Sequence, residues 1–429
     1  MSLGQLVVYE VEVELLSPTI LVERAGKSGY VSIRDRLPGQ TIRGALLTAL
    51  HDAGICPNPR ELAELCITAT TGLPSEEGAR FYVGHPFVVA PKVSLLKNKK
   101  KGRRYAFSLL AGEWLEALKE ASTTGGLRWL LLSKLKGYRR AFPDKLNELG
   151  EDARAFSPSL LEFGVGDVFK VGKEGIPLRF GGYPTSLEIS VGISHVRGAS
   201  ESGMIFAYEA LPTGARFSAS LTDLDGGLTD RMADHGLLAD GVAELSVRIG
   251  RGASRGFGHA VMRLRKVPEG ELKEVVERAD RALNEGVIPL LARAPLVELR
   301  PSARGLVSMP SPPEELKVPG EWHAGLEPGG RLTLRRLDCL GKQKRVKGYS
   351  MRKGIARPEL TAAREGSLCL YKVVRAGGDV AETLALLELA GLDRLAKLCL
   401  NRVEIAVEDP FPSLDGLLKK LEDLGAIRA

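Results

Sequence analysis

The chain has 429 residues, 44% of them hydrophobic, and carries 60 Lys+Arg against 53 Asp+Glu for a formal charge of +7. That length argues against one small core and for two domains, or two with an insertion. No apolar run reaches the length that spans a bilayer and the opening M-S-L-G-Q-L lacks a signal-peptide layout, so a cytoplasmic location is expected.

Cys56, Cys66, Cys339, Cys369 and Cys399 are scattered and odd in number, which argues against a disulfide framework. Cys56 and Cys66 with His51 match no standard zinc spacing. Structural thiols are expected, with no metal and no cofactor.

The first strand is read from Val7, Tyr9, Val11, Val13 and Leu15, which alternate with Glu10, Glu12 and Glu14 to give one core face and one wet, acidic face. A basic, glycine-bearing loop, E-R-A-G-K-S-G-Y, follows. Then Ile42, Ala45, Leu46, Ala49, Leu50 and Ala53 recur at helical spacing, closed by Gly54. The start of this helix at Pro38-Gly39, beside Arg36 and Arg43, leaves orphan N–H groups where a phosphate is welcome; a solvated helix end is the plain alternative. From Cys56 to Arg179 the pattern is irregular, with short helical pieces such as Glu113 to Ala121. Within it Lys97 to Arg104 (K-N-K-K-K-G-R-R) is a basic run with Tyr105 and Phe107 directly after it and Trp129, Tyr138, Arg139 and Arg140 further on. Either it is a solvated loop, or base-stacking groups lie close to charge.

Two strands, Leu187 to Ile193 and Met204 to Leu211, flank a loop carrying His195 and Arg197, and a short helix is expected over Thr229 to Leu238. Next come alternating Ala243, Leu245, Val247 and Ile249, then G-R-G-A-S-R-G-F-G from Gly250 to Gly258, then alternating Ala260, Met262 and Leu264. Four glycines in this bend permit positive φ and bring successive N–H groups into one concavity. Arg251 and Arg255 add fixed positive charge, so phosphate is the natural guest, against the plain alternative of an ordinary glycine-rich hairpin. The bend is neither a dinucleotide fingerprint nor a Walker motif.

An amphipathic helix over Glu271 to Asn284 reads as the join between two domains. The second half repeats the first in outline: L-L-A-R-A-P-L-V-E-L matches L-L-S-P-T-I-L-V, and Gly366 to Tyr371 matches Gly203 to Tyr208. Helices over Val380 to Leu389 and from Leu414 to Leu424 and a strand at Val403, Ile405 and Val407 complete it. The expected fold class is α+β, two tandem ferredoxin-like domains. The boundaries are 1–268 with an insertion at about 55–180, a connecting helix at 269–286, and 287–429.

Taken together, L-P-G-Q-T-I-R-G-A-L, the Gly203 to Phe217 stretch and the G-R-G-A-S-R-G-F-G bend resemble the CRISPR-associated RAMP superfamily, whose members share an I-P-G-S-S-L-R-G-A-L kind of motif and a late S-R-G-F/Y-G loop. The best local match is to the large two-unit subunit of type III-D effector complexes. The resemblance implies paired RRM-like domains that hold a guide RNA by its backbone, with a subunit of this sort binding the repeat-derived 5′ handle and abutting the large polymerase-type subunit in antiviral defence. No membrane enters this picture. Carried over by position, Pro38, Gly39, Arg43 and Gly44 with Gly250, Arg251, Gly252, Ser254, Arg255, Gly256, Phe257 and Gly258 line the RNA groove. Arg197 and the run Lys99, Lys100, Lys101, Arg103 and Arg104 are further candidates. In the second half G-L-D-R-L-A-K-L-C-L-N-R has lost its loop glycines and is expected to serve packing. A second basic cluster, Arg335, Arg336, Lys342, Lys344, Arg345, Lys347, Arg352 and Lys353, either faces the same groove or the polymerase-type subunit, or is solvated.

The rival expectation is a metal-independent endoribonuclease processing the guide precursor, with His51, His195 or His259 as general base and Arg197 or Lys27 as helper. Asp35 is the nearest candidate for a metal-dependent variant. The binding reading needs no catalytic constellation and is preferred.

Overall fold

The computed structural model describes residues 6–26, 29–92, 104–149, 156–193, 200–303, 305–323, 325–326, 328–350 and 355–424. They form a mixed α+β protein whose contacts divide into two units: Leu6–Glu76 with Gly181–Val267, and Glu77–Phe180 with Pro268–Ala429. No helix among the described residues is long and apolar enough to cross a membrane.

In the first of these, the amino-terminal unit, the Val7–Leu15 strand lies between Arg216–Asp223 and His259–Lys266, antiparallel to both. Val242–Arg248 and Ile67–Ala69 extend the sheet on either side. Tyr9, Val11, Val13 and Leu15 are buried, as their period of two requires. The Gly39–Asp52 helix packs against Val242–Arg248 and Ile67–Ala69 and buries Ile42, Ala45, Leu46 and Leu50, one stripe at helical spacing. The face expected to be acidic is instead balanced. Register sets Glu10 opposite Arg265, Glu12 opposite Arg263 and Glu14 opposite Arg216. Ion pairs form at 2.6 Å for Arg265–Glu10, 3.2 Å for Arg216–Glu14 and 3.5 Å for Arg263–Glu14. Exposed pairs of this sort contribute about 0.2–1 kcal/mol each. A second sheet of the same unit runs Ser186–Ile193, Ser200–Ala210, Gly29–Ser32, Val22–Gly26.

The carboxy-terminal unit is built on a sheet ordered Glu315–Val318, Gly330–Leu340, Leu368–Gly378, Ile288–Ala292, Val403–Ile405. The Glu269–Glu285 and Val380–Leu389 helices pack on each other and on this sheet, so the helix expected as a join belongs to the core of this unit. Within Glu77–Phe180, Phe87, Leu110, Trp114, Leu118 and Leu127 share one apolar cluster with Val287, Leu291, Leu368 and Leu370. Val89, Phe107 and Phe156 share another with Leu414, Leu417, Leu418 and Leu421. A segment that interrupts the first domain in sequence thus builds its interior with the second half. The irregular reading of this segment also missed the Gly126–Leu149 helix, where Pro143 and a dense set of Lys and Arg obscure the stripe of Leu127, Leu130, Tyr138 and Phe142.

One further expectation changes. Cys339 and Cys369 form a disulfide because the Gly330–Leu340 and Leu368–Gly378 strands set them directly opposite. In the late loop of the second half, Cys399 and Asn401 take positive φ of 54° and 52°, the conformation glycines would supply. Asn401 donates to the Val297 carbonyl at 2.9 Å and Arg402 is buried, so this loop is part of the core, as its lost glycines suggest.

Two predictions follow the packing. Trp114 is buried and its indole N–H donates to the Ala406 carbonyl at 2.6 Å, so Trp114→Ala is expected to cost about 3–5 kcal/mol in chemical denaturation. In the amino-terminal unit Asp223 is fully buried. Its Oδ2 accepts from the Thr229 amide at 2.9 Å and hydroxyl at 2.8 Å, while its Oδ1 has no partner among the described residues. Burial outweighs those bonds and pushes its carboxyl up to about 6. The unfolded chain releases that proton first, so this contribution to stability is complete below the ordinary value of 3.8 and is lost as pH rises through about 6. In melting experiments across that window, Asp223→Asn is expected to flatten a fall worth roughly 3 kcal/mol at most.

Candidate nucleic-acid interface

The Gly250–Gly258 bend joins the Val242–Arg248 and His259–Lys266 strands. Gly250, Gly252, Gly256 and Gly258 all adopt positive φ, between 77° and 85°. A Cβ on Gly250 would sit 2.3 Å from the Ile20 carbonyl oxygen, and one on Gly258 2.0 Å from that of Ile249, so both positions exclude a side chain twice over. The bend is clamped to the chain before it: the Arg251 N–H donates to the Ile20 carbonyl at 3.1 Å and the Gly258 N–H to the Pro18 carbonyl at 2.9 Å. Within the bend, the amides of Arg255 and Phe257 donate to Gly252 and that of Gly256 to Ala253. The expected cradle of successive free N–H groups is therefore smaller than the sequence suggests. The amides of Gly252, Ala253 and Ser254 have no partner among the described residues; three others close the turn on itself and two clamp it to Pro18 and Ile20.

Anion-binding capacity lies instead in the side chains. Arg251 and Arg255 are exposed, and neither forms an ion pair with a carboxylate among the described residues. Both are held by aromatic rings. The Arg255 guanidinium lies 4.6 Å from the centroid of Tyr208 and 5.9 Å from that of Phe257. Arg251 lies 5.1 Å from the ring of Tyr30, whose hydroxyl accepts from its Nη1 at 3.1 Å. Tyr30 and Tyr208 stack on each other, with centroids 5.6 Å apart and ring planes 28° from parallel. Beneath them lie Ile20, Ala210, Val22 and Phe206. A ring engages the face of a guanidinium and leaves N–H donors pointing outward in its plane, so a phosphate can be bound without giving up the cation–π contact, worth about 0.5–1 kcal/mol at an exposed site.

Tyr30, Tyr208 and Arg248 are the residues that sequence reasoning missed. Tyr30 and Tyr208 sit on neighbouring strands in register with each other, a pairing that joins positions far apart in the chain. Arg248 is exposed at the end of its strand opposite His259 and carries no carboxylate partner among the described residues.

Other candidates stand apart from the bend. Gly39 is buried, and a Cβ there would lie 2.5 Å from the Ala69 carbonyl oxygen and 2.7 Å from that of Thr70, so close packing of helix on strand explains this glycine. Pro38 is its N-cap and offers no side-chain bond. The Arg43 guanidinium donates to the Ile67 carbonyl at 3.2 Å and toward that of Leu65 at 3.5 Å, tying the helix to the sheet. Gly44 is different: nothing lies within 4 Å of a Cβ placed there. The Asp35 carboxylate is gripped by Arg36 at 3.1 and 2.6 Å, as an ion pair beside the helix entrance. His51 ends the Gly39–Asp52 helix and meets Asp52 at 3.4 Å, while His259 shares a 2.9 Å hydrogen bond with Ser246. No group of three His, Cys, Asp or Glu stands close enough to hold a metal among the described residues.

Lys27, Lys99, Lys100, Lys101, Arg103, His195 and Arg197 lie outside the described residues, as do Arg352 and Lys353. Arg104 pairs with Glu162 at 2.9 Å, and Tyr105 and Phe107 are buried, so neither ring is available to stack on a base. In the second basic cluster, Lys344 pairs with buried Glu365 at 3.0 Å, and Arg345 and Lys347 share Glu359 at 3.3 and 3.5 Å. Lys342 donates to the Phe163 carbonyl at 3.2 Å and Arg336 to that of Pro312. Arg335 is exposed and forms no ion pair among the described residues.

No protein-family model matches this sequence, and no curated protein is significantly similar to it. Among solved structures, a chain of the type III-B Cmr-beta complex bound to cognate target RNA and AMPPnP is similar at 12% identity, with 84% of this chain and 86% of that chain covered and a TM-score of 0.35. A CRISPR-associated protein Cas6 is similar at 9% identity over 94% and 99%, with a TM-score of 0.32. Oligomeric Cmr4 from Pyrococcus furiosus is similar at 13% identity over 61% and 99%, with a TM-score of 0.25. Likenesses at these identities and TM-scores carry no argument about what it binds.

The glycines of the site give a graded test by urea denaturation of the full chain. Gly258→Ala, which meets a carbonyl, is expected to lose more stability than Gly256→Ala, which meets only its own φ of 85° and is expected to cost about 1–2 kcal/mol. Gly44→Ala, in an open helical position, is expected to gain about 0.5–1 kcal/mol.

Proposed function

We propose that this chain is a guide-RNA-binding subunit of a type III CRISPR-associated effector complex, made of two RRM-like, ferredoxin-like RAMP units. In this reading it grips the phosphates of the repeat-derived 5′ handle at the Gly250–Gly258 bend and contacts the large polymerase-type subunit. One observation carries the reading: Arg251 and Arg255 stand exposed and without carboxylate partners among the described residues, fixed on the Tyr30–Tyr208 stack. Exposed cations that a fold leaves uncompensated, yet holds in place, suit phosphate contacts that position a nucleic acid without reading its bases. Phe257 and Tyr30, both half-buried, place aromatic rings beside those cations. The motif resemblance supplies the choice of a guide RNA, and the antiparallel sheet with the Gly39–Asp52 helix on one face is compatible with an RRM-like unit.

The test is binding of a repeat-handle RNA to the full chain across a salt series. The double variant Arg251→Glu/Arg255→Glu is expected to bind at least about tenfold more weakly, with the slope of log affinity against log salt reduced by roughly 1–2 for two lost phosphate contacts on a single strand. Its melting temperature is expected to stay near wild type, because both side chains are exposed. Wild-type affinity in a folded double variant removes the bend from RNA binding.

A further inference from the structure

The carboxy-terminal sheet carries a second feature that the motifs do not account for. Along the Gly330–Leu340 strand, Leu332 and Leu334 point into the core while Arg331, Thr333 and Arg335 point the other way. Register places Lys372 opposite Arg335 and Arg375 opposite Thr333 on one side, and Lys317 opposite Thr333 on the other. Arg331, Arg335, Lys372, Arg375 and Lys317 are all exposed. Adjacent strands lie about 4.8 Å apart and alternate residues about 6.7 Å apart along a strand, so these five cations form one compact grid.

Compensation is almost absent from that grid. Lys317 meets Glu315 at 3.6 Å. Arg331, Arg335, Lys372 and Arg375 form no ion pair among the described residues, although Glu315 stands opposite Arg335 in the ladder. Arg335 and Lys372 are like charges placed directly across from each other, an arrangement that destabilises an antiparallel pair. The amino-terminal sheet shows how the same chain treats an ordinary solvated face: there Glu10, Glu12 and Glu14 each stand opposite an arginine. Further along the same face of the carboxy-terminal sheet, Leu368 and Leu370 are covered by the cluster containing Trp114 and Leu127. Beyond Tyr371 that cover stops, and Gly377 leaves open space above the backbone.

From this we infer that the face formed by Lys317, Arg331, Arg335, Lys372 and Arg375 is a second nucleic-acid surface, binding the phosphates of a single strand without reading its sequence. A protein partner would call for an apolar or aromatic anchor at the centre of the patch. Val374 is the one exposed large hydrophobic among the described residues of these three strands, and no aromatic side chain is exposed there. Arginine and lysine without aromatics suit backbone contacts, steeply salt-dependent and indifferent to base identity. The inference stands apart from the proposed role of the glycine bend, which lies in the other unit.

The experiment measures binding of a labelled oligouridine to the full chain over a salt series, in the wild type, in the face variant Arg335→Gln/Lys372→Gln/Arg375→Gln, and in both with Arg251→Glu/Arg255→Glu added. The face variant is expected to weaken binding about tenfold or more and to flatten the salt slope by roughly 2, in the presence and in the absence of the bend substitutions. Its melting temperature is expected to equal or exceed wild type, because a cross-strand repulsion is removed. The charge-keeping variant Arg335→Lys/Arg375→Lys is expected to retain the wild-type slope and serves if the glutamine variant does not fold. Unchanged affinity and slope in a folded face variant overturn the inference, as does loss of slope in the charge-keeping variant. Binding of polyglutamate in preference to oligouridine overturns it in favour of an acidic protein partner. Failure of the bend substitutions alone leaves this comparison intact and counts against the bend.

Discussion

The amino-terminal unit depends on a clamp between two pieces of backbone far apart in sequence. The carbonyls of Pro18 and Ile20 take the amides of Gly258 and Arg251, and the approach is so close that Gly250 has no room for a Cβ against Ile20, while Gly258 has none against Ile249 within the hairpin. This fixes where the bend sits relative to the first strand, and hence where Arg251 and Arg255 emerge. The Tyr30–Tyr208 stack then holds the two guanidiniums. Long, flexible side chains are thereby ordered before any ligand arrives, which lowers the entropic cost of binding.

Charge alone locates few of the important cations. The chain has 60 Lys+Arg, and the fold neutralises many of those that look most basic in sequence. Lys344, Arg345 and Lys347 are each matched to a carboxylate, and Arg104 is matched to Glu162. Arg251 and Arg255 on the glycine bend and Arg331, Arg335, Lys372 and Arg375 on one end of a sheet face form no ion pair among the described residues. On the sheet, register sets Lys372 rather than a carboxylate across from Arg335 on the central side.

The carboxy-terminal unit illustrates how chain order and packing order separate. Glu77–Phe180 is inserted between strands of the amino-terminal sheet in sequence, yet Phe87, Trp114 and Leu118 find their partners among Val287, Leu291 and Leu370. The buried hydrogen bond of His85 Nε2 with Asp409 at 3.0 Å, both side chains nearly inaccessible, joins the same two stretches. Asp409 Oδ1 also accepts from the Phe411 amide at 3.0 Å, so this buried polar contact is hydrogen-bonded on both sides of the seam.

Local pattern was enough to locate the Val7–Leu15 strand, the Gly39–Asp52, Glu269–Glu285 and Val380–Leu389 helices, and the positive φ of all four bend glycines. These follow from periodicity and from the steric freedom of glycine, which act over a few residues. Tertiary structure decided the rest. It committed three of the bend amides to closing the turn and two to the Pro18 and Ile20 carbonyls, set arginines opposite Glu10, Glu12 and Glu14, joined Cys339 to Cys369, and buried Tyr105 and Phe107. It also brought Tyr30 to Tyr208 and left Arg335 and Lys372 facing each other. Each of these is a relation between residues distant in the chain, set by strand register and by which surfaces the core encloses, and no window of adjacent residues contains that information.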